Sequence, residues 1–341
     1  MEDPAVFGSQ IFNPNSYSSG FIITRTQAGA WATMGAALQT GRSAGEAEAA
    51  GLNKRIAEYY DRAAEEWESE QGDHWHIGFY DPGEVSTVAD QRAARARTVE
   101  EALRFAGISD DPERRPKNIL DVGCGIGGSS RYLVKRYGAK CTAFTISPKE
   151  VERAKALTAA EGLADKVSYL VADAHQQPFP DGEFDLVWSM SSAELMVDKR
   201  KFVSEMARVA APGGTIVIVT WCHRDLLPSE ASLRPEDLDL LKRIGNIHCA
   251  PVWCSAADFV KIAESLLLED IESADWSENV APLWAAITRT RYTWQGLTSV
   301  ARRGWTGIKH AYATALMIEA HNKGLLKCCI ITCQKPRTTS Q

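Results

Sequence analysis

Several chemistries are excluded by what this chain is short of. Its eight cysteines form no Cys-x-x-Cys pair and no zinc-ligand spacing, so neither a thioredoxin-type redox pair nor a structural metal is expected. Several fall in apolar segments, where a free thiol behaves as a small hydrophobe. A reducing compartment without disulfides is the expectation. No apolar run reaches the roughly 18 residues that a membrane-spanning helix needs. An excess of cations is missing too: the net charge is −6, which argues against general nucleic-acid binding. Nor is there an internal repeat or a low-complexity tract.

What is present is ordinary in bulk. Apolar residues make up 45% and charged residues 24% of 341 positions, as in a globular protein with one large domain or two small ones. Residues 1–50 are poor in charge and rich in Ala, Gly, Ser and Thr. They read as a flexible leader, with a plastid transit peptide as one option. Glu2 and Asp3 count against that option, because transit peptides avoid acids.

Helical periodicity predicts a helix over 53–70, with Ile56, Tyr59, Tyr60, Ala63 and Trp67 on one face. A polar-aromatic loop follows at Gly72–Tyr80, then a helix from Val88 to Ala106 that stops at Gly107. From Asn118 onward apolar strands alternate with helices. Strands are expected at Asn118–Val122, Lys140–Thr145, Val167–Ala172, Phe184–Ser189 and Thr215–Trp221, with later ones at Leu268–Trp276 and Lys327–Cys333. Ser147 followed by Pro148 marks a helix start. The pattern is that of an α/β protein with a seven-stranded, mostly parallel, doubly wound sheet. Residues 51–115 would form an N-terminal helical cap, 116–223 the core, 224–336 a helical lid with the closing strands, and 337–341 a tail.

The first strand leads into Asp121-Val-Gly-Cys-Gly-Ile-Gly-Gly128, a turn that brings backbone close to a ligand at a helix start. Read as Gly-x-Gly-x-x-Gly alone, it suits a dinucleotide as well as a methyl donor. A dinucleotide site would carry Asp or Glu about 20 residues on, at the end of the second strand. Thr145 stands there instead, which favours S-adenosylmethionine (SAM) over a nicotinamide cofactor.

Ligands of open α/β sheets gather at the carboxyl ends of the strands, and the candidate residues follow from that. Asp121 would meet the SAM ammonium, Gly123, Gly125 and Gly127 its methionine part, Thr145 and Ile146 its ribose, and Asp173 and Ala174 its adenine. Ser189 ends strand four beside them. The acceptor would lie against Ser191 and Leu195, with Trp75 and Ile77 contributed by the N-terminal loop. Glu194 and His76 are the candidate catalytic groups, and His74 is a second titratable group on that loop. Capping of turns by Asp121 and Asp173, and a solvated Glu194, are the alternative roles.

Between Val280 and Pro336 eight Lys and Arg residues face Glu319 alone, interleaved with Trp284, Tyr292, Trp294, Trp305 and Tyr312. Such a stretch fits either a packed helical cap with a solvated basic face or peripheral contact with an anionic bilayer.

Long segments carry a more specific signal. Glu101–Glu113, Asp121–Tyr132, Phe202–Gly213, Val219–Asp225, Ala274–Pro282 and Trp294–Ser299 make the chain similar to the gamma-tocopherol methyltransferase family of plants and algae, including its N-methyltransferase offshoots. The resemblance spans about Gly51 to Pro336. It implies a class I SAM-dependent methyltransferase with a helical lid, acting on a carbon of a prenylated chromanol ring in the plastid, with the cytoplasm as the alternative location.

Departures from the family cluster on the acceptor side. Ser191, Ala193 and Leu195 stand where the family has Glu, Gly and His, and Trp75 and Ile77 replace Met and His. An apolar site of this kind also suits an alkaloid-like amine or an isoprenoid or sterol carbon. A catalytically inactive SAM- or lipid-binding protein is the alternative from another class.

Overall fold

The computed structural model describes residues 51–61, 72–85, 87, 90–250, 252–291 and 304–337. The expected leader, the second half of the 53–70 helix with Trp67, and the segment holding Tyr292, Trp294, Arg302 and Arg303 lie outside them. The side chain of Trp305 does as well. Residues 51–61 are helical.

The ordered elements then run α1 (Gln91–Phe105), β1 (Asn118–Val122), α2 (Gly128–Tyr137), β2 (Lys140–Thr145), α3 (Pro148–Ala160), β3 (Val167–Val171) and β4 (Phe184–Met190). A 3-10 turn follows at Ala193–Leu195, then α4 (Lys199–Val209), β5 (Ala210–His223), α5 (Pro235–His248) and α6 (Ala256–Ser265). The chain closes with β6 (Glu269–Asp275), α7 (Ser277–Arg291), α8 (Gly304–Asn322) and β7 (Leu326–Gln334).

Seven strands form one sheet in the order β3-β2-β1-β4-β5-β7-β6. β1 to β5 pair in parallel, and β7 runs antiparallel between β5 and β6. The order reverses between β1 and β2 on one side and β4 on the other, which opens the crevice where ligands of such sheets bind. Central strands are apolar on both faces: Ile119, Leu120, Leu186, Val187, Ile216 and Val217 are buried completely. That two-sided burial follows from helices covering both faces.

Local signals explain most boundaries. α2 ends at Gly138, whose left-handed φ of 65° forms the C-cap. Ser147 caps α3 by accepting from the Glu150 amide, and Asp198 caps α4 by accepting from Lys201. Pro212-Gly213-Gly214, expected to turn the chain into strand five, lies inside β5. The pairing of β4 with β5 shifts register there, so the three residues form a bulge rather than a strand start.

Late helices pack against the sheet. Val280, Leu283 and Trp284 of α7 and Ala313, Leu316 and Ala320 of α8 are buried, and the Trp284 ring tilts against Trp221 at 5.7 Å. Among the described residues, no helix is long and apolar enough to cross a membrane.

Candidate active site

A cavity of about 800 Å³ opens at the carboxyl ends of β1, β2, β3 and β4. The glycine turn forms its floor. Gly123 and Gly125 both have positive φ and both line the cavity. A Cβ on Gly123 would come within 2.5 Å of Ser192, so only glycine allows the turn and the loop after β4 to touch. Ser192 tightens that contact by donating from Oγ to the Val122 carbonyl at 3.1 Å. Gly127 does not line the cavity. Its φ of 79° makes the left-handed N-cap of α2, and a Cβ there would lie 2.2 Å from the Tyr169 hydroxyl. Packing, rather than ligand approach, demands that glycine.

Three carboxyl groups face the cavity from deep positions. Asp121 accepts from the Ser130 hydroxyl at 2.6 Å, and burial pushes its pKa up to about 7. Glu150, from the first turn of α3, is bonded to the Thr145 hydroxyl. Burial outweighs that bond, and Asp61 nearby adds to the rise, so Glu150 also reaches about 7. Glu194, in the turn after β4, accepts from Thr220 at 2.7 Å, and burial raises its pKa. Among the described residues, neither Asp121 nor Glu150 has a Lys or Arg at ion-pair distance. Glu150 therefore brings a carboxylate beside Thr145, at the strand end that has no acid of its own. It is three residues past the cap of α3, a position that reads in sequence as an ordinary helix-start acid.

The other side of the cavity comes from the loop at 72–80. Trp75, His76 and Ile77 line it, and the Trp75 ring lies over Gly125. Arg131, 2% exposed, holds this loop in place. It donates to the Ile126 carbonyl, pairs with Glu161 at 2.8 Å and stands 3.5 Å from Asp73. His76 engages both ring nitrogens, one 3.0 Å from the Ile77 carbonyl and the other 3.1 Å from Nδ1 of His74. Burial depresses both histidines, His76 to about 3 and His74 to about 4, so both are neutral at physiological pH.

The remaining expected residues divide. Thr145, Ile146, Ala174, Ser191 and Leu195 line the cavity, and Ser191 holds a left-handed φ of 54°. Asp173 lines it too, but its carboxylate accepts from Asn53 at 2.8 Å and from the amide and ring of His175. It thus closes its own turn and anchors the 51–61 helix. Ser189 lies one layer behind, buried and bonded to Ser192. Lys199, unnoticed in the sequence, donates to the carbonyls of Glu194 and Met196 and clamps the turn that presents Glu194. Tyr60 and Ile56 of the 51–61 helix also line the cavity.

The parallel sheet with an antiparallel β7, the glycine turn after β1 and the cavity at the strand ends define a class I SAM-dependent methyltransferase. A methyltransferase-domain family model matches residues 120–218. The chain is 59% identical, over 85% of its length and 80% of the relative's, to the probable chloroplastic tocopherol O-methyltransferase of Oryza sativa subsp. japonica. It is 45% identical to norajmaline N-methyltransferase of Rauvolfia serpentina, covering 83% of this chain and 98% of that one. Identity is 34% to the 2-methyl-6-phytyl-1,4-hydroquinone methyltransferase of Synechocystis, covering 73% and 75%. Geranyl diphosphate C-methyltransferase from Streptomyces coelicolor A3(2) shares the fold, with a TM-score of 0.66 at 18% identity, over 83% of this chain and 97% of that one. The chain belongs to the tocopherol methyltransferase family.

Proposed function

We propose that the chain transfers the methyl group of SAM to a tocopherol-like, prenylated chromanol in the plastid, where its relative from rice is named as residing. The observation that carries this is the pair of buried carboxyls Asp121 and Glu150, which line the cavity with no Lys or Arg at ion-pair distance among the described residues. Buried acids of that kind favour a ligand that brings positive charge, and SAM carries an ammonium and a sulfonium. The cradle fits: glycine at 123 and 125 leaves backbone exposed to the cavity, and the strand ends supply the acids.

SAM supplies an electrophilic methyl group. Asp121 accepts from its ammonium, Glu150 with Thr145 accepts from the ribose hydroxyls, and Gly123 and Gly125 admit the methionine chain. Asp173 and Ala174 border the adenine. The acceptor enters between Trp75, Ile77, Ser191 and Leu195. Its phenol proton passes to a base, which leaves phenolate charge on the ring so that an adjacent carbon would take the methyl as the methyl–sulfur bond breaks and S-adenosylhomocysteine leaves. That ring carbon would then give its own proton to solvent as aromaticity returns, and the base would hand the first proton back to the phenolate oxygen.

Two groups are placed to meet the phenol hydroxyl. Glu194 has a pKa raised toward the working range of a general base and takes the proton. His74, held at about 4 by burial, is a weak base but keeps a free lone pair that can accept the phenol's hydrogen bond, because its Nδ1–H is used on His76. His76, whose two nitrogens are engaged, orients His74 rather than meeting the acceptor.

The same base would serve an oxygen nucleophile, which the rice relative's name specifies, so product structure decides the atom. Purified chain with isotope-labelled SAM and gamma-tocopherol should yield a ring-methylated product, identified by mass spectrometry and NMR. Absence of labelled chromanol would remove this function. An amine acceptor is the second candidate, favoured by Ala193 and Leu195 in the loop after β4 and by the 45% identity to an N-methyltransferase. Methylation of an alkaloid-like amine in place of the chromanol would select it. Peripheral contact of the basic late segment with anionic lipid belongs to the first proposal, because a prenylated acceptor partitions into membranes. Co-sedimentation with anionic vesicles tests it.

A further inference from the structure

A second cavity, of about 940 Å³, lies between α5, residues 249–250 and 252–253, the segment at 226–233 and the start of the 51–61 helix. Leu52, Leu226, Leu233, Leu238, Leu241 and Val252 form its apolar lining, with His223, Ser232 and Asn246 as polar neighbours. Three of these remain open to water, Leu226 at 41%, Leu238 at 51% and Val252 at 45% exposure. Exposed apolar side chains gathered round one cavity make it a candidate ligand site. Its charged lining groups Arg55 and Lys242 lie exposed, while Asp258 is occupied in the cap of α6.

The two cavities share a wall. Ala250 and Trp253 line both. The 51–61 helix spans them, turning Asn53, Ile56 and Tyr60 to the first and Leu52 and Arg55 to the second. The wall is held firmly. Trp253 donates from its ring nitrogen to the Leu241 carbonyl at 2.9 Å, and a Cβ on Gly245 would lie 2.3 Å from the Ala250 carbonyl oxygen. Of the two residues that line both cavities, Ala250 has the small side chain, so a ligand that joined the chambers would pass over it.

Volume then separates their uses. A cavity of 800 Å³ is within the range that accommodates one drug-sized ligand. SAM and an acceptor ring together occupy it, and a long chain has to leave. We propose that the acceptor's isoprenoid tail crosses Ala250 and Trp253 and lies in the second cavity, emerging at Leu226, Leu238 and Val252. This rests on the acceptor being a prenylated ring, and it identifies the second cavity as the subsite that selects for the tail.

The test uses the full chain, gamma-tocopherol, and the same chromanol with a methyl group in place of its tail. Leu238→Asp puts a charge at the mouth, and Ala231→Trp narrows it. Both positions are exposed, so the fold should tolerate the changes. Each variant should lower kcat/KM for the tailed substrate by at least about tenfold, the loss of roughly two buried methylenes. Turnover of the tail-less chromanol should be unchanged. Equal effects on the two substrates, or none on the tailed one, overturn the proposal. Should neither chromanol be methylated, the acceptor assignment fails by itself. Saturable binding of phytol, a 20-carbon isoprenoid alcohol, followed by tryptophan fluorescence and weakened tenfold in Leu238→Asp, would then still support the subsite. No saturable phytol binding by the unmodified chain would overturn it.

Discussion

Nε2 of His76 stands 3.1 Å from Nδ1 of His74, while Nδ1 of His76 stands 3.0 Å from the Ile77 carbonyl. A carbonyl only accepts, so His76 Nδ1 carries the proton and its Nε2 accepts from His74. The direction of the chain leaves Nε2 of His74 as the one free lone pair. His74→Phe should therefore lower kcat/KM for the acceptor by roughly tenfold, about one lost hydrogen bond, with SAM affinity retained. Steady-state kinetics with a SAM titration checks this, and an unaffected kcat/KM would leave Glu194 as the sole contact to the phenol.

Burying both histidines neutral also links them to acid stability. Their folded pKa values, about 3 and about 4, lie below the unfolded value of 6.5. The unfolded chain therefore binds more protons below pH 6.5. Stability is unaffected by them above that pH and falls as pH drops toward 4 and 3, by about 1.4 kcal/mol per unit for a fully buried group. His76→Gln should flatten the decline in urea-midpoint measurements between pH 6.5 and pH 4. An unchanged slope would mean that His76 is already charged in the fold.

Glu194 is balanced between burial, which raises its pKa, and the Thr220 hydroxyl, which lowers it. Thr220→Val removes only the second influence. The acid limb of kcat/KM should move to higher pH in that variant. A limb that stays in place, or shifts down, would separate Glu194 from the chemistry.

Asp121 is bonded to Ser130 and held up to about 7 by burial. A cation bound beside it would favour its ionised form. Asp121→Asn keeps the shape and the Ser130 contact but loses a charge-assisted bond, so SAM should bind about 10–100-fold more weakly by calorimetry. Affinity of the unmodified chain should fall as pH drops through about 7, and less steeply in the variant, where only Glu150 still titrates.

Arg131 ties the loop at 72–80 to α2 through Glu161 and Asp73. Arg131→Met should destabilise the fold by roughly 2 kcal/mol, less than the 3–5 of a fully buried pair because Glu161 remains partly exposed. KM for the acceptor should rise more than the Kd for SAM as Trp75 loosens over Gly125. A pure loss of stability with unchanged KM would reduce Arg131 to a structural tie.

Much of this molecule was legible in its sequence. Two-sided apolar strands and capped helices marked the sheet, because burial on both faces leaves no polar alternation to confuse them. Asp121 and Gly123 were readable because a positive φ and a strand-end acid are local requirements. Glu150 was not, since nothing local distinguishes a first-turn acid that stays in water from one that folds back on Thr145. Gly127 was misplaced for the converse reason: its motif suggested a ligand, and only tertiary packing shows Tyr169 in the way. His76 and His74 are two residues apart in the chain, and which of them is free depends on the Ile77 carbonyl.

By itself, then, the order of residues determined the α/β sheet, the glycine turn and the tocopherol-methyltransferase resemblance, since each rests on periodicity, on φ angles or on long matching segments. Tertiary structure alone decided the arrangement of the site. Burial raises Asp121 and Glu150, the Ser192 contact joins the glycine turn to the loop after β4, and Ala250 with Trp253 sets two cavities side by side. Those are properties of groups far apart in the chain, and they arise only when packing removes water from between them.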